Sequence, residues 1–296
     1  MPARFTAYLP EQPARSCLLK DGDVLQVGRG EDCGLRLDHP SISRRHAEFR
    51  QEQDGDWGLR DLDSKNGCHV AGVAVTRSPL TGNAWLRLGD VYCEFERLDA
   101  AGGAAAELRL QARRTRATAL TVGLQHASGF SALLDGSLRA VIELSQCERG
   151  FLLLRDRDDA ADGFSIRARH AIEPDQVCGA GFSGSAGVVQ RTLRDGATVV
   201  ANDIGDDAWL STRASVIAGG LRALVCLPLR EDARTLGAIY ADRSGPGAPI
   251  TALDLELLEA FTERAALYIA ARRASDVLAA AAAPRWSPLV AGAATP

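Results

Sequence analysis

The chain has 296 residues, 46% of them hydrophobic and 24% charged, with a formal net charge of −4. That is enough chain for two domains of ordinary size, and the balance is that of a packed protein rather than a disordered one. The mild acidity excludes a general nucleic-acid binder, which carries a basic stripe, and no apolar run approaches the roughly 18 residues of a membrane span.

The N-terminal "MPARFTAYLPEQ" lacks the apolar core of a signal peptide. The seven cysteines are scattered and form no C-x-x-C pair, which argues against a disulfide framework and a zinc site and for a reducing cytoplasm. Neither a nucleic acid nor a membrane is expected as a partner.

Residues 1–98 read as many short strands. "CLLKDGDVLQVG" sets Asp21-Gly22 between two apolar runs, a hairpin signal because Asp-Gly tolerates the positive φ of a type I′ turn. "VYCEF" puts Val91, Cys93 and Phe95 on one face, and "DWGL" gives Trp57 and Leu59 the same spacing. With glycine turns between the runs, this is the pattern of an all-β sandwich. "DAAGGAAAE" then reads as a Gly/Ala linker over 99–117, running into the basic segment "LRLQARRTRATAL", which is expected to start a helix. Thr115 and Thr118 there are expected in a mobile stretch a kinase can reach.

From residue 118 the period changes. Phe130, Leu133, Leu134, Leu138, Val141 and Ile142 keep helical spacing. Strands follow at "GFLLLR" and "FSIRARH", a helix at "GSAGVVQRTLRDG", strands at "ALVCLPLR" and "LGAIYADR", and a closing helix over 252–273 in which Leu257, Phe261, Ala265 and Tyr268 share a face. The expectation is an α+β domain over 118–275 with flanking helices, then a disordered Ala/Pro-rich tail, 276–296.

Three short stretches in the first domain carry chemistry. "VGRG" puts Arg29 just past a strand end, "SISRRH" puts Ser43, Arg44, Arg45 and His46 on a second loop, and "DLDSKNG" puts Lys65, Asn66 and Gly67 on a third. An arginine fork and a hydroxyl suit a phosphate, and an asparagine amide matches the donor and acceptor of a peptide unit.

In this order, with "EDCGLRLDHP" and "LRLGD", the stretches resemble the forkhead-associated (FHA) domain over residues 1–98. The resemblance implies a phosphothreonine-peptide site in which Arg29 and Ser43 hold the phosphate and Asn66 pins the peptide backbone. It also implies that Gly28, His46 and Gly67 support the loops. Arg44 is a candidate contact to phosphate or peptide; whether Lys65 adds a cation or is merely solvated stays open. Cys68 stands where the family commonly has threonine.

The second region, by "GSAGVVQRTLRDGATVVANDI", "LRALVCLPLR" and "TLGAIYADR", resembles a GAF domain. That implies a module that binds a small ligand or dimerises. Asn202 followed by Asp203 departs from the cyclic-nucleotide signature, so no cofactor is expected and any small ligand stays unnamed. Asp203, Trp209 and Tyr240 are the candidate pocket residues.

Together the resemblances imply a bacterial, non-enzymatic signalling adaptor that binds a threonine-phosphorylated partner (a Ser/Thr kinase or its substrate) and forms a homodimer through the GAF helices. The alternatives are a redox enzyme like the GAF-type methionine sulfoxide reductases, using Cys147, Cys178 or Cys226, and a purely structural assembly protein.

Overall fold

The computed structural model describes residues 1–10, 12–52, 55–156, 163–173, 186–202 and 221–282. The chain divides into two compact units. One holds Met1–Arg116 with Val199–Val225 and Asp242–Leu257, and the other holds Ala117–Thr198, Cys226–Ala241 and Leu258–Pro296.

The first unit contains a sandwich of two sheets. One sheet is built from β1 (Ala3–Tyr8), β2 (Arg15–Leu19), β7 (Cys68–Val70), β8 (Val73–Val75), β10 (Ala84–Leu88) and β11 (Val91–Arg97), in the order β2-β1-β11-β10-β7-β8. The other holds β3 (Val24–Gly28), β4 (Leu35–Arg36), β5 (Ala47–Gln51), β6 (Trp57–Asp61) and β9 (Arg77–Leu80), in the order β4-β3-β5-β6-β9. Alternation drives the packing, since every second side chain of a strand faces the partner sheet. Phe5 and Phe95 from one sheet meet Phe49 and Trp57 from the other, with ring centroids 4.7 Å apart for Phe5–Phe49 and 6.2 Å for Trp57–Phe95. The buried Trp57 indole N–H donates to the Met1 carbonyl at 2.8 Å, so its one polar atom costs nothing.

The turn at Asp21-Gly22 forms, with Gly22 at φ +87, but it does not close a hairpin. β2 pairs with β1 and β3 pairs with β5, so the turn is a corner between sheets. The turn residues specify a local reversal of the chain; which partners the two strands take is a matter of long-range pairing.

Helix α1 (Ala100–Leu124) replaces the expected 99–117 linker. Asp99 caps it, its Oδ1 accepting from the Gly102 N–H at 2.6 Å, and the alanines that follow outweigh two glycines at about 1 kcal/mol each. The helix expected to start in the basic segment is present and begins earlier, so Thr115 and Thr118 sit within it rather than in a mobile stretch.

Helix α2 (Phe130–Ser145) buries Leu133, Leu134, Leu138, Val141 and Ile142, the stripe its spacing predicts. Strands β12 (Arg149–Arg155), β13 (Phe164–His170), β14 (Val199–Asn202), β15 (Ala223–Glu231) and β16 (Arg234–Arg243) form a sheet in the order β13-β12-β16-β15-β14. Gly237 lets β12 and β16 approach, because a Cβ there would stand 2.0 Å from the Leu153 carbonyl oxygen. Helix α3 (Ala186–Asp195) contributes Val189 to a core with Phe151, Ile172, Cys226, Ala238 and Tyr240.

The last helix, α4, runs Ala252–Ala282, so the tail expected from 276 starts helical. Residues 276–282 are mostly alanine, and Pro284 is the first residue that opposes continuation. Thr251 and Asp254 cap its start reciprocally, at 2.7 Å between Oγ1 and Oδ2 and 3.3 Å from the Asp254 N–H to Oγ1. Among the described residues no helix is long and apolar enough to cross a membrane.

Candidate anion-binding site

Three loops at one end of the sandwich carry the residues singled out from the sequence. The β3–β4 loop begins at Arg29, and its backbone lies against the β4–β5 loop. The Arg29 N–H donates to the Ser43 carbonyl at 2.9 Å, and the Gly30 N–H donates to the Arg44 carbonyl at 2.9 Å. Such close approach leaves no room for a side chain at Gly28, where a Cβ would stand 2.2 Å from the Arg44 oxygen. Arg29 is exposed, and its Nε–H donates to the Ile42 carbonyl at 3.3 Å. The guanidinium is thereby anchored by one edge, with both terminal amino groups left to make a bidentate contact.

Ser43 has a defined polarity. Its Oγ accepts from the Lys65 N–H at 3.0 Å, so the hydroxyl proton is free to be donated outward. Behind it stands His46, with no exposed surface at all. The Ser43 N–H donates to its Nδ1 at 3.1 Å, and its Nε2 lies 3.1 Å from the Gly67 carbonyl. A backbone N–H only donates and a carbonyl only accepts, so the ring is the neutral Nε2–H tautomer. Burial lowers the His46 pKa most strongly, opposed by Gly67 and the Asp61 charge. The His46 carbonyl also accepts from the Leu62 N–H and its backbone N–H donates to the Val27 carbonyl, which ties strand β3, the second loop and the third loop to one residue.

The third loop is an Asp-Ser turn. The Ser64 N–H and O–H donate to Asp61 at 2.8 and 2.7 Å, and the Gly67 N–H donates to the Ser64 oxygen at 3.0 Å. Burial alone would raise the Asp61 carboxyl, but hydrogen bonds from Cys68 and Ser64 outweigh it and hold the group below the usual carboxylate range. The Cys68 thiol is pushed up by burial and by Asp61. His46, Asp61 and Cys68 place their ligand-type atoms within 4.8 Å of one another. As a metal set they fit poorly, because both imidazole nitrogens are engaged and the thiol holds its proton. The trio is a brace.

Asn66 is exposed, and its Nδ2–H donates to the Ser41 carbonyl at 2.7 Å, leaving the amide oxygen and one N–H outward. Ser41 is the residue that sequence reasoning missed. Its Oγ accepts from the Asp90 N–H at 2.8 Å and so donates to His39 Nδ1, also at 2.8 Å. Gly89 has φ +54, and a Cβ there would stand 2.5 Å from the Ser41 oxygen. The available signal is "LRLGD", whose glycine packs on the serine and whose aspartate bonds it across 49 residues.

The site thus brings together Arg29, Ser43, Lys65 and Asn66, backed by Gly28, His46 and Gly67. Arg44 and Arg45 are exposed beside them. In the second region Tyr240 is buried and stacked on Phe151 with centroids 5.1 Å apart, whereas Asp203 and Trp209 lie outside the described residues. Cys226 is fully buried, which pushes its thiol up to about 12, and Cys147 is buried as well; Cys178 lies outside the described residues.

Comparison with known proteins agrees with this architecture. Residues 25–91 match the model of the FHA domain and residues 130–269 that of the GAF domain. The chain carries an FHA domain followed by a GAF domain.

Over 85 residues it is 36% identical to the FHA domain-containing protein FhaA of Mycobacterium tuberculosis, covering 28% of this chain and 16% of that protein. Over 82 residues it is 34% identical to the glycogen accumulation regulator GarA of Mycolicibacterium smegmatis, covering 28% of this chain and 51% of that one. The match therefore spans about half or less of these curated relatives. Among solved structures, the FhaA FHA domain complexed with the intracellular domain of Rv3910 is 32% identical, with a TM-score of 0.28 over 31% of this chain and 99% of that one. A structure described for phosphothreonine-dependent FHA domain interactions is 30% identical, with a TM-score of 0.29 over 32% of this chain and 98% of that one.

Proposed function

We propose that this chain is a signalling adaptor whose FHA domain binds a threonine-phosphorylated partner, a Ser/Thr kinase or one of its substrates. The observation that carries this reading is the polarity of the Arg29–Ser43 pair. One arginine edge and one hydroxyl lone pair are spent on the backbone, and every remaining hydrogen there is a donor aimed outward. A phosphate monoester supplies the matching partner, with about −1.5 to −2 charges and three acceptor oxygens. Asn66 then offers an acceptor and a donor to the partner's backbone. The regulators among the FHA relatives support the same reading.

Calorimetry with a phosphothreonine peptide library tests it. Arg29→Ala weakens binding about ten- to a hundredfold, and Arg29→Lys restores only part, because charge-assisted bonds contribute about 1.5–3 kcal/mol each and lysine lacks the fork. Equal affinity of wild type and Arg29→Ala refutes the site.

For the GAF domain the reading is pairing with a second copy through the flanking helices. Leu108, Leu110 and Val122 on α1, and Leu267, Val277 and Leu278 on α4, are large apolar side chains left exposed. Light scattering checks this: a dimer mass is expected at micromolar concentration, and a monomer mass defeats it. A redox enzyme is the weaker reading, since a buried, protonated Cys226 is not the thiolate such chemistry needs.

A further inference from the structure

The loop between β1 and β2 is tied to the start of α4. Ala14 in that loop has no exposed surface and forms a parallel bridge with Thr251. Its N–H donates to the Ile250 carbonyl at 3.0 Å, and its carbonyl accepts from the Ala252 N–H at 2.9 Å. Ile250 and Ala252 belong to the stretch that matches the GAF domain, and all of these residues lie in the first compact unit.

A second set of bonds holds residues 250–254 in place. Asn202, the last residue of β14, binds the Ile250 backbone as a neighbouring strand would. Its Oδ1 accepts from the Ile250 N–H at 2.8 Å, and its Nδ2–H donates to the Ile250 carbonyl at 3.0 Å. The buried Asp254 carboxylate accepts from the Arg113 guanidinium of α1 at 2.7 Å and from the Thr251 N–H at 2.9 Å. The Ile250 carbonyl thus serves two donors, one from the sandwich loop and one from Asn202. Without the Asn202 amide, the N–H of the buried Ile250 loses its partner, so the segment shifts to find one and draws Ala14 with it.

Strand register sets this loop at the recognition end of the sandwich. β1 ends at Tyr8, which lies opposite Tyr92, and Asp90 just before it donates its N–H to Ser41. The neighbouring Gly89 N–H donates to the Gly67 carbonyl at 3.0 Å, and the Ser41 carbonyl accepts from Asn66. A shift at Ala14 therefore acts, through the end of β1, on the turn that positions Ser41 and Asn66.

We propose that residues 250–254 couple the phosphate site to the GAF segment: the Asn202 grip on Ile250 and phosphopeptide binding favour each other. This rests on the phosphothreonine reading above and adds to it a control from outside the sandwich. Coupling of this kind changes an equilibrium constant about 5- to 150-fold, and a grip of two neutral hydrogen bonds belongs at the low end, about fivefold. Because coupling is reciprocal, the peptide tightens the grip by as much as the grip tightens the peptide.

The test uses the full chain and a phosphothreonine peptide selected from a library on the wild type. Calorimetry is expected to show about fivefold weaker binding to Asn202→Ala. In the wild type, saturating peptide is expected to slow hydrogen exchange of the Ala14 and Ala252 amides about fivefold, and in the variant this slowing shrinks below twofold. The exchange measurement needs no substitution, so it decides alone where Asn202→Ala does not fold. Unchanged affinity in a folded variant, or wild-type exchange that ignores the peptide, overturns the inference while leaving phosphothreonine binding intact. If no phosphopeptide binds, or if dephosphorylation changes nothing, the phosphothreonine reading itself falls and this inference falls with it.

Discussion

At the loop end of the sandwich, His46 is fully buried and spends one ring nitrogen on a backbone group of its own loop and the other on the loop beside it. In the core beside the β13-β12-β16-β15-β14 sheet, Phe151 and Tyr240 are almost as deeply buried and stack their rings on each other at 5.1 Å. Burial serves different ends in the two places. A stacked pair lowers free energy without caring where one exposed atom points. A buried polar hub is expensive unless fully satisfied, but once satisfied it fixes directions. The comparison teaches where recognition resides: in loops held by a buried hub whose ring nitrogens are both satisfied, which leaves the exposed donors of Arg29, Ser43 and Asn66 for a ligand.

The largest effect that sharpens this contrast is on stability. Phe151→Ala is expected to cost about 3–5 kcal/mol, through lost burial and the cavity left behind. Denaturant unfolding reads that loss, while phosphopeptide affinity at low denaturant stays unchanged. A matching drop in affinity would break the separation of roles.

Gly28→Ala reverses the pattern. The added methyl meets backbone at 2.2 Å, so the two loops must part. The expected cost is about 1–3 kcal/mol in stability, accompanied by loss of most phosphopeptide affinity. Unfolding and binding measured on the same sample check both.

Smaller again is Ser41→Ala, which removes the hydroxyl that links Asp90 and His39 and leaves the Asp90 N–H unpaired. About 1–2 kcal/mol of stability is at stake, together with a severalfold loss of affinity through a mispositioned Asn66. The discriminating reading is a double-mutant cycle, in which Ser41→Ala weakens binding far less in an Asn66→Ala background. Simple additivity would mean that Ser41 does not act through Asn66.

The smallest effect is the pH dependence. The folded state lowers the His46 pKa, so below the ordinary value near 6.5 the unfolded chain takes up a proton that the native brace refuses. Stability of the sandwich therefore declines as pH falls from about 6.5, because a proton on Nδ1 would face the Ser43 N–H. Asp61 acts in a lower window: its folded pKa is depressed, so its contribution is present above about 4 and is lost as pH falls further. Denaturation midpoints of wild type and His46→Gln at pH 7.5 and 5.5 test the first window. A flatter dependence is expected in the variant, and identical slopes would exclude His46 as the group.

Much of this protein is determined by the sequence alone. Strand alternation through Val91, Cys93 and Phe95, the helical stripe from Leu133 to Ile142, and Arg29, Ser43 and Asn66 on turn-rich loops are local signals, set by periodicities of two and 3.6 and by residue chemistry. The tertiary structure decided what those signals leave free. It made Asp21-Gly22 a corner between sheets rather than a hairpin, and it carried the helix of the basic segment back to Ala100, through two glycines that suggested a linker. It also gave Ser41 its role, through partners 25 and 49 residues away. The physical reason is the same in each case: a backbone group must find a partner, and which distant residue supplies it depends on how the sheets pack, not on the residues beside it.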